Sequence, residues 1–327
     1  MINRRHLIAS GAALAVAGCG RGERPLHSAD AHLADYPTVQ GVQAMADMVA
    51  ERTGGRLSVK IFAGGQLGSE RDTLELTVFG ALDLNRVNLA PLNSISPETV
   101  IPSLPFLFNS IGHMRTALDG APGQQILDAL EPHGLIGLCF YDSGARSFYN
   151  TRGPILEPAD LQGMKIRVQN SDLYVAMVEA LGANPTPMSL GEVYQGLVQG
   201  VIDGAENNWP SYESTRHFEA ARYYSLTRHV MAPEILVMSR HRWERLSGAD
   251  REIFREAARA SVPVMRGLWD ARVASSRERV LSAGVDANEV ADIAAFSDRM
   301  ESVWDRFVRT DVQRRLVEDI RNMGGEA

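Results

Sequence analysis

The chain has 327 residues, 33 Lys and Arg against 40 Asp and Glu, a formal charge of −7, and 45% hydrophobic residues. That size allows two lobes with a sizeable core, and the acidic balance argues against a nucleic-acid partner or a polybasic membrane surface. With two cysteines in the whole chain, Cys19 and Cys139, no disulfide framework or Cys/His metal spacing is available.

The chain opens on Arg4, Arg5 and His6, an apolar stretch over 7–17, and Val16-Ala17-Gly18-Cys19. A charged start, a run too short to cross a bilayer and a small-residue end make residues 1–19 an export signal. The end resembles a lipoprotein cleavage box, which makes Cys19 the candidate lipid anchor, with plain cleavage to a free periplasmic protein as the alternative. Residues 3–7 match a twin-arginine signal only in part.

The spacing then predicts a helix over 39–51 stopping at Gly54-Gly55, a strand over 57–62, a helix over 74–79 ending at Gly80, and a strand over 82–89. Residues 135–141 read as a buried strand holding Cys139 as a small core residue. A turn at Gly144 is expected to lead into a second strand. Residues 164–168 alternate as a strand, 173–181 and 193–198 as helices, and 201–205 as a strand. Helical composition fills 248–282, interrupted only by Pro263, and returns over 287–323. Strands alternating with helices make this an α/β chain with a predominantly parallel sheet.

Two segments about forty residues apart carry the candidate chemistry: Met164-Lys165-Ile166-Arg167-Val168, and 201–212 with Asp203-Gly204-Ala205-Glu206-Asn207-Asn208-Trp209-Pro210-Ser211-Tyr212. A guanidinium offers a rigid fork that matches a carboxylate, and an asparagine can donate to the same anion. Arg167 has a plainer reading as a surface strand residue paired with Asp160 or Glu157. Asn207 has one as a turn or helix cap.

Taken in order with Gly65-Gln66-Leu67-Gly68, these segments resemble the solute-binding proteins of tripartite ATP-independent periplasmic (TRAP) transporters over nearly the whole mature chain. The resemblance implies a two-lobed periplasmic solute-binding protein with a hinge, mixed sheets covered by helices, and a long helix bracing both lobes. It places lobe I at 26–142, completed by about 233–270, and lobe II at 143–232, completed by about 284–327. It also implies that Arg167 forms a bidentate salt bridge with a ligand carboxylate and that Asn207 bonds the carboxylate from the other side. Glu70 and His32 would face the cleft as readers of ligand hydroxyls.

Arg146 is either a hinge arginine or a second donor to the ligand. Asn208 is a further ligand candidate, and Trp209 and Tyr212 would stack on a sugar face or belong to the core. One clamp with several acceptors suits a hydroxylated monocarboxylate better than a diacid. The stretches 141–149 and 206–212 resemble the branch that binds sugar acids, so a hexuronate such as glucuronate or galacturonate is the favoured cargo.

A dicarboxylate, a keto or hydroxy acid, or a sensor role for a signalling partner are the alternatives. No Gly-x-Ser-x-Gly elbow, phosphate loop or His-Glu-x-x-His occurs, so neither catalysis nor a cofactor is expected. The expected partners are a small organic acid and TRAP membrane permease subunits, with a monomer as the default.

Overall fold

The computed structural model describes residues 24–324. The 1–19 signal and the Cys19 lipidation site lie outside the described residues. The strands are β1 (Leu26–Ala29), β2 (Val59–Phe62), β3 (Leu84–Asn88), β4 (Leu135–Asn150), β5 (Lys165–Val168), β6 (Asn184–Pro187), β7 (Gly204–Asn207), β8 (Tyr223–Ser239) and β9 (Asp286–Glu289). Among the described residues they form one sheet in the order β2-β1-β3-β8-β4-β7-β5-β6, with β9 beside the start of β8.

The two wings of this sheet are parallel, as alternation of strands and helices requires: β2 and β3 flank β1, and β6 and β7 flank β5. The centre is antiparallel, because the 16-residue β4 and 17-residue β8 run against each other and each pairs antiparallel with a wing. The sheet is therefore mixed rather than predominantly parallel. Gly144 does not turn the chain into a separate strand: at φ +62° it sits in a bulge, between the Asp142 and Ala145 register positions, inside one continuous β4. A bulge bends a strand without ending it.

Local caps explain the helix boundaries. Pro37 opens the helix Pro37–Arg52, and Ser69 and Asp72 cap the helix Glu70–Val78 reciprocally. The helix Gly248–Ser282 keeps Pro263 in its interior and starts on the Ser247 cap. It joins the two wings: Arg272 reaches Asp35 at 3.2 Å and Glu213 at 3.0 Å, and Trp269 is buried. Arg115 links Asp142 to Asp270 on the same helix, with 2.6 Å to the latter.

The stretch expected to be helical over 287–323 is broken. β9 pairs in parallel with 223–226, and tertiary pairing overrides local helix preference. The C-terminal helix Asp311–Asn322 packs beside residues 97–113. His113 Nε2 is 2.7 Å from the Ile320 carbonyl, and Gln313 Nε2 donates to the Pro97 carbonyl at 3.0 Å. Cys139 is buried in the core, and burial pushes its thiol up to about 12.

Candidate functional site

The alternation of β5 turns Ile166 and Val168 into the core and leaves Arg167 on the other face of the strand. Arg167 is only 3% exposed, yet no carboxylate among the described residues pairs with it. Its Nε and Nη2 donate to the Met188 carbonyl at 2.9 and 2.7 Å. Burial and the like charge of Arg146 hold its pKa below the ordinary arginine value, against the opposing pull of Tyr149 and Glu206. Asp160, the surface partner considered from sequence, instead accepts from the backbone amides of Leu156 and Glu157.

Asn207 ends β7, beside the strand that carries Arg167. Its Oδ1 accepts from Arg146 Nη1 at 3.0 Å and from the Asn208 amide at 2.9 Å, so the side chain is fixed by its acceptor end. Arg146 follows the β4 bulge and is fully engaged. It forms a two-pronged pair with Glu206, including 2.7 Å from Nη2 to Oε1, and Nη2 also donates to the Glu206 carbonyl at 2.7 Å. His229, stacked on Phe148 at 4.3 Å, lies 3.5 Å from the same carboxylate. Burial alone would raise Glu206, but the Arg146 and His229 contacts more than offset it and hold the carboxyl at about 2.

Across the cleft, Arg86 on β3 is completely buried among three carboxylates. It forms a two-pronged pair with Asp30, including 2.8 Å from Nε, and its Nη1 is 3.1 Å from Glu70 and 3.0 Å from Glu234. Glu70 begins its helix but is tied back to β3, accepting from the Asn88 backbone at 3.1 Å and side chain at 3.0 Å. His32 stacks on Tyr36 at 3.8 Å and puts Nε2 3.7 Å from Glu234.

Of the eight predicted ligand residues, His32, Glu70, Arg146, Arg167 and Asn207 line one narrow pocket of the cleft. Glu70 and Arg167 also border a wider recess of about 320 Å³ that includes Gly65 and Gly68, so the glycine turn stands at the mouth. The other three predicted residues are not in the cavity lining. Asn208 caps the helix Trp209–Ser214 by accepting from the Ser211 amide at 2.8 Å and donates to the Ser143 carbonyl at 2.8 Å. Trp209 stacks on Tyr224 at 3.8 Å, and Tyr212 donates its hydroxyl to the Ala221 carbonyl at 2.5 Å within an aromatic cluster.

The lining also contains Asn88, Ser143, Gln169, Leu190, Ser211 and Glu234, which sequence reasoning missed. A signal existed for one of them: Glu234 is a charge set directly before the apolar run 235–238. Arg86, behind the lining, carried the same signal as a charge inside a strand.

Arg167 is thus a buried cation without a carboxylate partner among the described residues, beside an asparagine held by its acceptor end. A family model for bacterial extracellular solute-binding protein, family 7, matches residues 29–311. The chain belongs to that family. A curated solute-binding protein of Chromohalobacter salexigens is 45% identical over 292 residues, covering 89% of this chain and 87% of the relative.

Among solved structures, a TRAP periplasmic solute-binding protein from a Bradyrhizobium species in complex with D-galacturonate is similar, with TM-score 0.90 and 53% identity over 91% of this chain and 100% of that one. Another, from Chromohalobacter salexigens with bound D-glucuronate, has TM-score 0.88 and 44% identity over 91% of this chain and 99% of that one. This family-7 protein thus has the two-lobed TRAP solute-binding fold, with a hinge between the lobes and the helix Gly248–Ser282 bracing them. Its function is that of a periplasmic solute receptor of the TRAP type.

Proposed function

We propose that this receptor captures a hexuronate, D-galacturonate or D-glucuronate, and delivers it to a TRAP membrane permease. The observation that carries the reading is Arg167, buried at the cavity wall without a carboxylate partner among the described residues. Arg167 clamps the ligand carboxylate, Asn207 donates to it from the adjacent strand, and Arg146 holds Asn207 in place. Glu70 and His32 meet the hydroxyls from the opposite wall. The uronates bound by the two structural relatives fit this arrangement of one clamp and several acceptors.

The lobes meet at 142/143 in β4 and 232/233 in β8, where the register of β4 against β8 breaks. Ligand bridging both walls stabilises the closed state. The chain acts as a monomer and as a binder rather than an enzyme. The 1–19 signal exports it, and Cys19 carries the lipid. Melting temperature measured against D-galacturonate, D-glucuronate, aldonates, succinate and keto acids tests the cargo: stabilisation by the two uronates is expected. Stabilisation by four-carbon diacids without any by uronates would overturn it.

A further inference from the structure

We infer that Glu234, with Asn88 beside it, is the residue that reads the hydroxylated end of the ligand and excludes a second carboxylate. This deepens the uronate reading and rests on it. Glu234 and Asn88 are cross-strand partners in the β3–β8 ladder, and both line the same pocket. Glu234 is fully buried, and neither of its carboxylate oxygens has a hydrogen-bond partner among the described residues. Arg86 Nη1 lies 3.0 Å from Oε2 and His32 Nε2 3.7 Å from Oε1, contacts that fix the charge and leave acceptor capacity on both oxygens. The Oδ1 of Asn88 is likewise buried and unpartnered.

Buried acceptor capacity left open is unfavourable, and donors carried by the ligand fill it. Hydroxyls supply such donors; a carboxylate supplies none. Charge points the same way, because Arg86 is shared among Asp30, Glu70 and Glu234, and one guanidinium faces three anions. This end of the cavity is net negative, whereas the Arg167 end is positive. Burial opposes ionisation of Glu234, but the Arg86 charge and the His32 and Ser143 neighbours hold it at about 2, so it stays anionic at neutral pH. The site therefore discriminates by repulsion at one pole as well as by attraction at the other.

The test is calorimetry with D-galacturonate and with galactarate, the six-carbon diacid that carries a carboxylate at both ends. Glu234→Gln is expected to weaken D-galacturonate binding by at least about tenfold and to narrow the preference for it over galactarate by at least about tenfold. A structural role alone would weaken both acids equally. Galacturonate binding within about twofold of the unaltered chain, or equal loss for both acids, would overturn the inference. Glu234→Asp keeps the charge and withdraws it: weaker galacturonate binding with galactarate still excluded supports the assignment, and no change in either overturns it. An unaltered chain that ignores uronates would sink the cargo reading and this inference together. An unaltered chain that binds them, with an indifferent Glu234→Gln, removes this inference alone.

Discussion

Arg167 differs from the other arginines of the cleft in what neutralises it. Arg86 and Arg146 are matched by carboxylates of the protein, whereas Arg167 gives two of its donors to a single carbonyl. Truncating one partner of a buried charged pair weakens binding by roughly 2–5 kcal/mol. Arg167→Ala should therefore lose about 30- to 5,000-fold in calorimetric affinity for D-galacturonate. The ligand-free melting temperature should hold or rise, since the variant no longer buries an unpaired cation. Undiminished uptake by the variant would remove the clamp from the site.

Arg167 was singled out by the ordered segments that carry the family resemblance, since a charge in a strand by itself reads equally as a surface residue. The opposite wall was legible only at His32 and Glu70. Asp30, Arg86 and Glu234 come from separate stretches that only the strand order brings together. For Trp209 and Tyr212 the sequence left two readings open, since aromatic spacing cannot tell a face stacked on Tyr224 from one turned to a ligand.

At the scale of elements, β4 and β8 carry the irregularities. Gly144 holds a left-handed backbone in the β4 bulge, and a Cβ there would sit 3.1 Å from Trp269 Cζ2. Gly144→Ala should destabilise the chain by about 1–2 kcal/mol from the backbone conformation alone, measured by chemical denaturation. A neutral result would mean that the bulge relaxes freely. The helix Gly248–Ser282 was legible to its ends because a long helix announces itself through local composition and a Ser247 cap. The antiparallel centre was not legible: two apolar runs separated by more than seventy residues say nothing about which strand lies beside which. β9 was hidden for the same reason, its four residues being held in place by β8.

For the whole molecule, buried ionisable groups set the response to acid. His217 is held at about 3 rather than 6.5 by burial and by the nearby Arg167 charge, and Tyr149 hydrogen-bonds its Nδ1 at 2.7 Å. The unfolded chain takes up a proton there from 6.5 downward while the folded chain does not, so stability erodes as pH falls. Glu206 and Glu234, at about 2 against an ordinary 4.5, contribute stability that is complete above 4.5 and is lost on the way down to about 2.

Denaturation between pH 8 and 4 should show a decline beginning below 6.5 and steepening below 4.5. His217→Gln should flatten the upper part, leaving the share from His229, which burial also lowers. A decline in that window unchanged by the substitution would place the responsible proton elsewhere.

The chain passes between the two walls of the cleft within β4, within β8 and along the helix Gly248–Ser282. Neither half of the receptor is thus a contiguous piece of polypeptide that could be cut out and grafted. Engineers wishing to change the cargo could not transplant the Arg86 wall from another receptor without making joins at three places. Each join would fall where backbone bends or helix register must be matched. Altering single side chains inside the existing cleft is the accessible route to a new specificity.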